Sequence, residues 1–377
     1  MYKGYKYIDS DAHILEPSDL WENYLEPEFR ADMPRHFAGY ENDPPTWHLE
    51  IHVGDNPVMP NFPTGRGVQL PGTEEAYREY AMKGFTPECY RAALERTGID
   101  YMVVYPTVGL YITAVNGLSA AKAAAYRKAY NSWLHDFCVE CGGRILGAGS
   151  VDLRDPQEAA REARRCVKDL GFKAITINPE PVDDHALHDP FFDPLWAELV
   201  DLDVPLAVHV GAGTTRGQVG THNFPQWPLG RSVSAFTIGN MLASLSLIGG
   251  GVLERHPKLR VVHLESGAGW VAFWVDRMMA GIQGGSRHSP MQGLTMQPVE
   301  YFQRQCYISA DPDDPGVKQV VDAIGDDNIV TATDFAHLEG RGYVDALEST
   351  INLENVSEAT KRKMMWDNAA RLYAIAE

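Results

Sequence analysis

The sequence lacks the features that mark nucleic-acid-binding, membrane and secreted proteins. Basic residues are outnumbered, 33 Lys and Arg against 51 Asp and Glu. The net charge of −18 disfavours nucleic acid or an anionic membrane as a partner, because phosphates would be repelled. No run of about 18 apolar residues occurs, so we expect no membrane-spanning segment. The N-terminus turns polar too soon for a secretory signal, and we therefore expect a cytoplasmic protein.

The sequence also has few cysteines and no glycine motif of the kind that binds dinucleotides. The chain has five cysteines, an odd number. Cys138 and Cys141 close a predicted helix instead of following a strand, so we expect buried thiols and not a redox or zinc pair. No Gly-x-Gly-x-x-Gly follows a predicted strand, which argues against a dinucleotide site.

The chain does have a regular alternation of short apolar strands and helices. The stretch from residue 7 to residue 17 begins with the period of a β-strand. Seven more strands are predicted, at 100–106, 144–152, 172–178, 205–211, 259–266, 305–311 and 328–334. Strands that alternate with helices predict a parallel sheet, and eight is the number at which such a sheet closes. We therefore predict an α/β fold, a (β/α)8 TIM barrel; a doubly wound open sheet is the rival.

Residues 18–97 interrupt this alternation after the first strand. The segment is rich in proline and aromatic residues and shows no sustained periodicity. Irregular chain of this length inside a compact fold is usually functional. We therefore expect a long irregular insertion that forms a lid, within a single domain that covers residues 1–377.

Ligand-type residues stand late in four of the predicted strands. A regular first strand places Asp9, Asp11 and His13 on one face. The later strands carry such residues near their carboxyl ends, namely His209, His263 and Asp334. The carboxyl ends of barrel strands meet at one mouth, where these folds carry their active sites. Any one of these residues alone is better explained as a core residue with a partner, but together they predict a metal site.

Five motifs resemble the amidohydrolase-related family, which includes metal-dependent hydrolases and non-oxidative decarboxylases of the aminocarboxymuconate-semialdehyde type. They are Y-I-D-S-D-A-H-I-L-E-P, A-V-H-V-G, L-R-V-V-H-L-E-S-G, T-D-F-A-H-L-E-G and N-A-A-R-L-Y, spread from residue 7 to residue 373. The resemblance implies a (β/α)8 barrel with one divalent metal bound by Asp11, His13, His209 and Asp334. It also implies that His263 is the acid–base residue beside the metal-bound water.

The chemistry of these residues agrees with such a site. A divalent ion lowers the pKa of bound water, a neutral imidazole can move the proton, and Asp334 could orient that water. Asp-x-His stands where many relatives have His-x-His, and a carboxylate there suits iron or manganese as well as zinc. We therefore expect an enzyme that hydrolyses or non-oxidatively decarboxylates a small organic acid or acyl derivative.

More ligand-type residues follow these strands than one metal needs. A second metal would use His263, His337 and a carboxylate such as Glu16 or Glu265, although His337 could equally support a ligand or contact substrate. The branch also resembles a non-haem di-iron monooxygenase that hydroxylates a coenzyme A thioester in terpenoid biosynthesis. An oxygenase with two irons and O2 is therefore the alternative function. A non-catalytic barrel without metal is a third interpretation, which the full ligand set disfavours.

Substrate and assembly are expected in outline. Loop arginines could pair with a substrate carboxylate, namely Arg216, Arg231 and Arg341. Aromatic residues near the predicted mouth indicate a sizeable apolar substrate, namely Trp47, Phe62, Tyr77 and Trp227. We expect a small carboxylate or acyl thioester as the partner, no nucleic acid, no membrane, and a homo-oligomer, specifically a dimer.

Overall fold

The structure, a computed structural model, describes residues 2–58, 67–112, 115, 117–211, 219–220, 223–224, 226–283 and 293–376. Within these ranges, eight strands form one sheet and three form a second sheet. In chain order the strands are β1 (Ile8–His13), β2 (Pro34–Glu41), β3 (Thr46–Val53), β4 (Asn56–Pro57), β5 (Tyr101–Tyr105), β6 (Ile145–Ser150), β7 (Ala174–Ile177), β8 (Leu206–Val208), β9 (Val261–His263), β10 (Cys306–Ala310) and β11 (Ile329–Thr331).

The helices of the described residues follow the strands along the chain. They are α1 (Leu20–Tyr24), α2 (Thr73–Lys83), α3 (Pro87–Thr97), α4 (Gly109–Ile112), α5 (Ala120–Glu140), α6 (Pro156–Lys168), α7 (Asp193–Leu202), α8 (Pro228–Gly249), α9 (Val252–Arg255), α10 (Trp270–Gln283), α11 (Pro298–Gln305), α12 (Val317–Ile324), α13 (Ala346–Ile351), α14 (Glu358–Arg362) and α15 (Asn368–Tyr373). Shorter 3-10 turns cover Pro27–Asp32, Pro190–Phe192 and Glu339–Asp345, and a π-helical turn covers Lys363–Asp367.

The large sheet is a parallel barrel that closes between its first and last strands. Its order is β1-β5-β6-β7-β8-β9-β10-β11, with each neighbouring pair parallel. At the seam, Asp334 N donates to Asp11 O (2.8 Å) and His13 N donates to Phe335 O (2.8 Å). All eight strands lie inside their predicted ranges. The predicted (β/α)8 barrel is confirmed.

Alternation along the strands divides the core into an inner and an outer layer. The inner cluster takes side chains from every barrel strand, namely Ile8, Val103, Tyr105, Ala148, Ala174, Ala207, Val262, Leu264, Tyr307 and Val330. Leu372 and Tyr373 of α15 join this cluster, so the C-terminal helix packs against the barrel interior. The residues between them along the strands join the outer cluster with the surrounding helices. A strand residue therefore faces either the interior or the helices, according to its parity.

An irregularity in β1 changes which residues share a face. The pairing with β5 shifts register between Asp9 and Ala12. Ile8 belongs to the inner cluster, whereas Ala12, four residues later, belongs to the outer one. A regular strand would keep both on the same face, so the bulge reverses the parity. The prediction that Asp9 shares a face with Asp11 and His13 is therefore wrong.

The segment 18–97 is regular over most of its described length, which corrects the expectation of an irregular insertion. β2 and β3 form an antiparallel hairpin from Pro34↔Val53 to Glu41↔Thr46, and β4 extends it. The helix α2 lies between Gly72 and Gly84, which both adopt positive φ (89° and 70°). Glycine reaches this conformation without a Cβ clash, so it ends helices sharply. The proline and glycine residues thus separate short strands and helices, and these still form.

One described helix, α8, is long and apolar enough to cross a membrane by length and composition. The stretch is Leu229–Gly249, and 39% of the apolar window is buried. Helices that cover a barrel pass the same test, because they bury an apolar face against the sheet. The expectation that no segment spans a membrane stays a prediction.

His36 on β2 attaches the hairpin to the first barrel loop. Trp21 Nε1 donates to His36 Nδ1 (3.0 Å), and His36 Nε2 donates to Glu16 O (3.0 Å). One ring nitrogen accepts a hydrogen bond and the other donates one, which only the neutral imidazole can do. Burial lowers the pKa of His36 to about 4. A protonated ring would place a second N–H against the indole N–H.

We predict that His36 makes stability fall in mild acid. The folded pKa of about 4 lies below the usual 6.5, so the unfolded chain binds the extra proton and stability is lost as pH falls from 6.5 toward 4. A shift of this size amounts to about 3 kcal/mol. Urea unfolding of His36→Asn should show a shallower acid decline than the wild-type chain. His52→Gln, at a more exposed histidine of the same hairpin, is the control, and an unchanged slope in His36→Asn would contradict the prediction.

Candidate metal centre

Side chains from the ends of three strands converge at the mouth of the barrel. Asp11 and His13 end β1, His209 follows β8, and Asp334 and His337 follow β11. His13 Nε2 lies 3.2 Å from His209 Nε2 and 3.3 Å from Asp334 Oδ1. His209 Nε2 lies 3.3 Å from Asp11 Oδ1, and His337 Nδ1 lies 3.0 Å from Asp334 Oδ1. The structure thus brings together five of the predicted site residues.

The hydrogen bonds of His13 and His209 fix their tautomers. His13 Nδ1 lies 3.0 Å from Pro106 O, and His209 Nδ1 lies 2.8 Å from Val210 O. A carbonyl oxygen can only accept, so both Nδ1 atoms carry the proton. In the neutral rings both Nε2 atoms then present lone pairs, 3.2 Å apart. Imidazole ligands of metals show this arrangement, with one nitrogen donating to a carbonyl and the other turned to the ion.

The carboxylates at the same place have oxygens to which none of the described residues donates a hydrogen bond. Asp11 Oδ1 and both side-chain oxygens of Asp334 are buried and accept no hydrogen bond from the described residues. Ligand atoms lie within 4.8 Å of one another in two triads, Asp11–His13–His209 and His13–Asp334–His337. Buried oxygens and lone pairs that face each other are costly without a positive charge between them. The donor set therefore fits a divalent cation.

The pKa shifts show how poorly these charges are compensated by the protein alone. Burial, followed by the charges of Glu339 and Asp11, raises the pKa of Asp334 well above its usual value. Burial lowers the pKa of His13 well below its usual value. Burial by itself would lower the pKa of His209, but the Asp11 carboxylate leaves that pKa raised. A bound cation favours the ionised carboxyl and the neutral imidazole. It therefore offsets the cost of burying the carboxylate charges.

Local backbone geometry places Asp334 at the centre. Its φ is +55°, a left-handed conformation that aspartate tolerates better than most residues. The motif D-F-A-H-L-E-G ends in Gly340, where a Cβ would lie 1.8 Å from Asp334 O. Only glycine lets the chain return this closely over the aspartate. The close approach of the two backbone segments thus explains why the motif ends in glycine.

Asp9 holds the two ligand-bearing strand ends together. Its Oδ1 accepts hydrogen bonds from Asp11 N (3.2 Å) and Thr333 N (3.0 Å), and its Oδ2 accepts one from the Thr333 hydroxyl. The side chain is fully buried at the barrel seam. Asp9 therefore supports the backbone on either side of Asp11 and Asp334 and is absent from both ligand triads.

The structure does not bring His263 to the metal centre, which corrects its predicted roles as acid–base residue and ligand. His263 follows the inner residue Val262 by one position, so it faces the outer helices. Its Nδ1 donates to Asn240 Oδ1 on α8 (3.0 Å), and its ring lies near those of Trp270 (5.6 Å) and Phe302 (6.2 Å). The face on which His263 lies depends on whether its position alternates with or matches that of the inner residues. Its location near the end of the strand does not predict that face.

Glu16 is placed differently from the prediction of a second-metal ligand, whereas the same prediction for Glu265 stays untested. The Glu16 carboxylate accepts hydrogen bonds from the backbone N–H groups of residues 107–109, at 3.0 to 3.3 Å. Glu16 is therefore left out of the proposed ligand set. Glu265 Oε2 lies 3.5 Å from His209 Nε2, and its side chain is 16% exposed. The φ of +50° at Glu265 breaks the strand alternation and turns the chain at the mouth.

The residues predicted to contact substrate have mixed outcomes. Trp47 lies beside the centre, with its ring 5.8 Å from that of His337. Tyr77 is fully buried and stacks on Tyr343 (5.7 Å), so it belongs to the core. Arg231 is buried, whereas Trp227 is exposed. Three further predictions lie outside the described residues or side chains, namely Arg216, Phe62 and the side chain of Arg341.

Comparison with known proteins identifies the family. A family model described as amidohydrolase matches residues 8–375. The chain belongs to this amidohydrolase family. It is 25% identical over 293 residues to a gamma-resorcylate decarboxylase from Polaromonas sp., covering 75% of this chain and 85% of the relative. It is 25% identical over 296 residues to a 2-amino-3-carboxymuconate-6-semialdehyde decarboxylase from Dictyostelium discoideum, covering 78% of each chain.

A solved structure shares the fold of this amidohydrolase. It is a 5-carboxyvanillate decarboxylase from Novosphingobium aromaticivorans, with TM-score 0.71, 20% identity and coverage of 99% of this chain and 97% of the other. That protein was crystallised with manganese and 4-hydroxy-3-methoxy-5-nitrobenzoic acid. The family match and the decarboxylase relatives confirm the predicted family and a metal-dependent enzyme. The alternative of a di-iron monooxygenase finds no support among them.

We predict that metal content separates the converging residues from His263. His209→Ala removes a nitrogen donor, and metal per chain should fall from near one to below about a tenth, since a lost ligand weakens binding by several kcal/mol. Asp334→Asn removes a negative charge but keeps a neutral oxygen, so its metal content should fall less. Asparagine is chosen at 334 because it tolerates the left-handed backbone. His263→Asn should keep its metal, because that side chain faces the helices.

The measurement is elemental analysis after gel filtration, with circular dichroism to confirm folding. Retention of full metal by folded His209→Ala, or loss of metal from folded His263→Asn, would contradict the assignment. Loss of metal from His263→Asn would also favour a second metal that has His263 as a ligand.

Proposed function

We propose that the chain is a metal-dependent decarboxylase that releases CO2 from a small organic acid without oxidation. The observation that carries the proposal is the pair of ligand triads that share His13, namely Asp11–His13–His209 and His13–Asp334–His337, each with its atoms within 4.8 Å of one another. The decarboxylase relatives support this reaction over hydrolysis, which remains the second candidate. The proposed cofactor is one divalent ion, manganese, iron or zinc.

The relatives point to a substrate class. Gamma-resorcylate, carboxymuconate semialdehyde and carboxyvanillate are the acids named for them. All are small, planar, conjugated carboxylic acids. We propose an acid of this class for the present chain. A divalent cation bound at the centre supplies positive charge to hold the substrate oxygens and stabilise negative charge that develops on them.

The reaction needs a proton as well as a cation. Decarboxylation replaces a carbon–carbon bond by a carbon–hydrogen bond, R–CO2⁻ + H⁺ → R–H + CO2. We assign the proton to Glu265, whose carboxyl reaches His209 (3.5 Å) but lies outside both ligand triads. From this position a protonated Glu265 carboxyl can donate the proton that the carbon receives.

We predict that Glu265→Gln slows turnover at unchanged metal content. General acid groups contribute about 10² to 10⁴ in rate, and the amide cannot deliver a proton. The assay is CO2 release from a panel of ortho-hydroxybenzoates and conjugated carboxylates, with deuterium incorporation from D2O at the former carboxyl carbon.

His263→Asn is the control for this variant and should remain within about threefold of the wild-type rate, since His263 lies in the helical layer. Equal activity of Glu265→Gln and the wild-type chain would remove Glu265 from the reaction. Products of hydrolysis without CO2 would favour the second candidate function.

We also propose that the enzyme is a cytoplasmic homodimer that uses an apolar surface on α8 and α10. Leu229, Val233 and Leu242 of α8 and Phe273 of α10 are exposed by 62%, 66%, 45% and 62%. The two helices are neighbours, since Trp274 Nε1 donates to Met241 O (2.7 Å). Large exposed apolar patches mark interaction sites. A second copy presents the same exposed apolar side chains, so this surface can pair with itself across a two-fold axis.

We predict that Leu242→Glu with Phe273→Glu gives monomers. Four carboxylates would be buried in a two-fold interface, and each costs several kcal/mol without a partner. Light scattering after gel filtration measures the mass. Val139→Glu alters an apolar side chain that is 64% exposed on α5 and should leave the dimer intact. A monomeric wild-type chain would refute the proposal.

A further inference from the structure

The hydroxyl of Thr107 links His337 to the backbone behind the metal centre. Thr107 follows β5 and is 1% exposed. Its Oγ1 lies 2.7 Å from Ile14 O and 2.8 Å from His337 Nε2. A carbonyl oxygen can only accept, so the single hydroxyl proton goes to Ile14. The hydroxyl oxygen must therefore accept a hydrogen bond from His337 Nε2.

This hydrogen bond fixes the tautomer of the neutral His337 ring. With the proton on Nε2, the Nδ1 atom carries a lone pair. Nδ1 lies 3.0 Å from Asp334 Oδ1, an oxygen that accepts no hydrogen bond from the described residues. The ring also stacks on His13 at 3.7 Å with 16° between the planes. The lone pair therefore lies beside the ligand atoms of His13 and Asp334, in the second of the two triads.

Thr107 is itself held firmly in place. Its N–H and those of Val108 and Gly109 donate to the buried Glu16 carboxylate. A Cβ at Gly109 would lie 2.7 Å from the Cβ of Pro106, so the turn requires glycine. The buried carboxylate and the tight turn fix the direction of the hydroxyl. Glu16 thus acts on the centre through the backbone and the threonine.

We propose that Thr107 is a positioning residue that holds His337 in the Nε2–H tautomer and so gives the metal centre a fifth donor atom, His337 Nδ1. The inference rests on the metal centre of the proposed function and adds one donor to its four residues. It assigns His337 to that centre and not to a second metal or to substrate. Thr107 acts on the centre through the His337 ring.

The first test compares Thr107→Val with Thr107→Ser. Valine keeps the shape of threonine without the hydroxyl, and serine keeps the hydroxyl. Competition with a chromophoric chelator gives the Mn²⁺ affinity of each metal-free chain. Loss of such a supporting partner weakens metal binding about 10- to 100-fold. We expect that loss in Thr107→Val and a value within about threefold of wild type in Thr107→Ser.

A double-mutant cycle with His337→Phe shows whether Thr107 acts through the ring. His337→Phe should weaken Mn²⁺ binding by itself, and adding Thr107→Val should weaken it no further. Circular dichroism of each variant checks folding. Additive losses, or wild-type affinity in folded Thr107→Val, would overturn the proposal.

The tautomer itself can be observed without any change at residue 107. Nitrogen-15 NMR of the histidine-labelled, metal-free wild-type chain distinguishes the tautomers, and His337→Phe assigns the signal by its loss. We expect the proton on Nε2. A proton on Nδ1 at neutral pH would overturn the proposal even where a variant fails to fold. A wild-type chain that binds no Mn²⁺ would refute the metal centre, whereas binding that is indifferent to Thr107 refutes this inference alone.

Discussion

The functional site depends on one electrostatic constraint, which is the burial of several imidazole lone pairs and carboxylate oxygens close to one another. The imidazole nitrogens of His13 and His209 face each other at 3.2 Å, because backbone carbonyls hold the opposite nitrogens. Carboxylate oxygens of Asp11 and Asp334 lie beside them without hydrogen bonds from the described residues. A protein interior tolerates such a cluster when a cation completes it. The charge and the chemistry of these side chains thus fit a divalent cation.

The rest of the mouth serves to keep these atoms in place. Asp9 bonds to the backbone of both ligand-bearing strand ends, and the seam hydrogen bonds join those ends directly. Gly340 lets the chain close over Asp334, and Glu16 holds the turn after β5. Residues that look like ligands in the sequence therefore divide into two groups. One group faces the centre, and the other, which includes Asp9 and Glu16, satisfies backbone N–H groups around it.

The fold was predictable to a large extent and the site in part. Eight apolar segments separated by helical ones leave few arrangements besides a parallel barrel, and all eight strands lie where the pattern places them. The segment 18–97 was mistaken for irregular chain because its elements are short and separated by proline and glycine. In its hairpin, from Pro34 to Val53, the alternation typical of a strand holds within β2 and within β3 but is interrupted by the turn between them.

The sequence by itself determined the barrel, the family and the strand ends that carry Asp11, His13, His209 and Asp334, because hydrophobic periodicity and local motifs are properties of neighbouring residues. Only the tertiary structure decided which side chains face the centre. A bulge in β1 separates Asp9 from Asp11, the parity of β9 turns His263 toward the helices, and a left-handed residue brings Glu265 to the mouth. A one-residue change of register reverses the face of every following side chain, and strand pairing across the barrel sets that register.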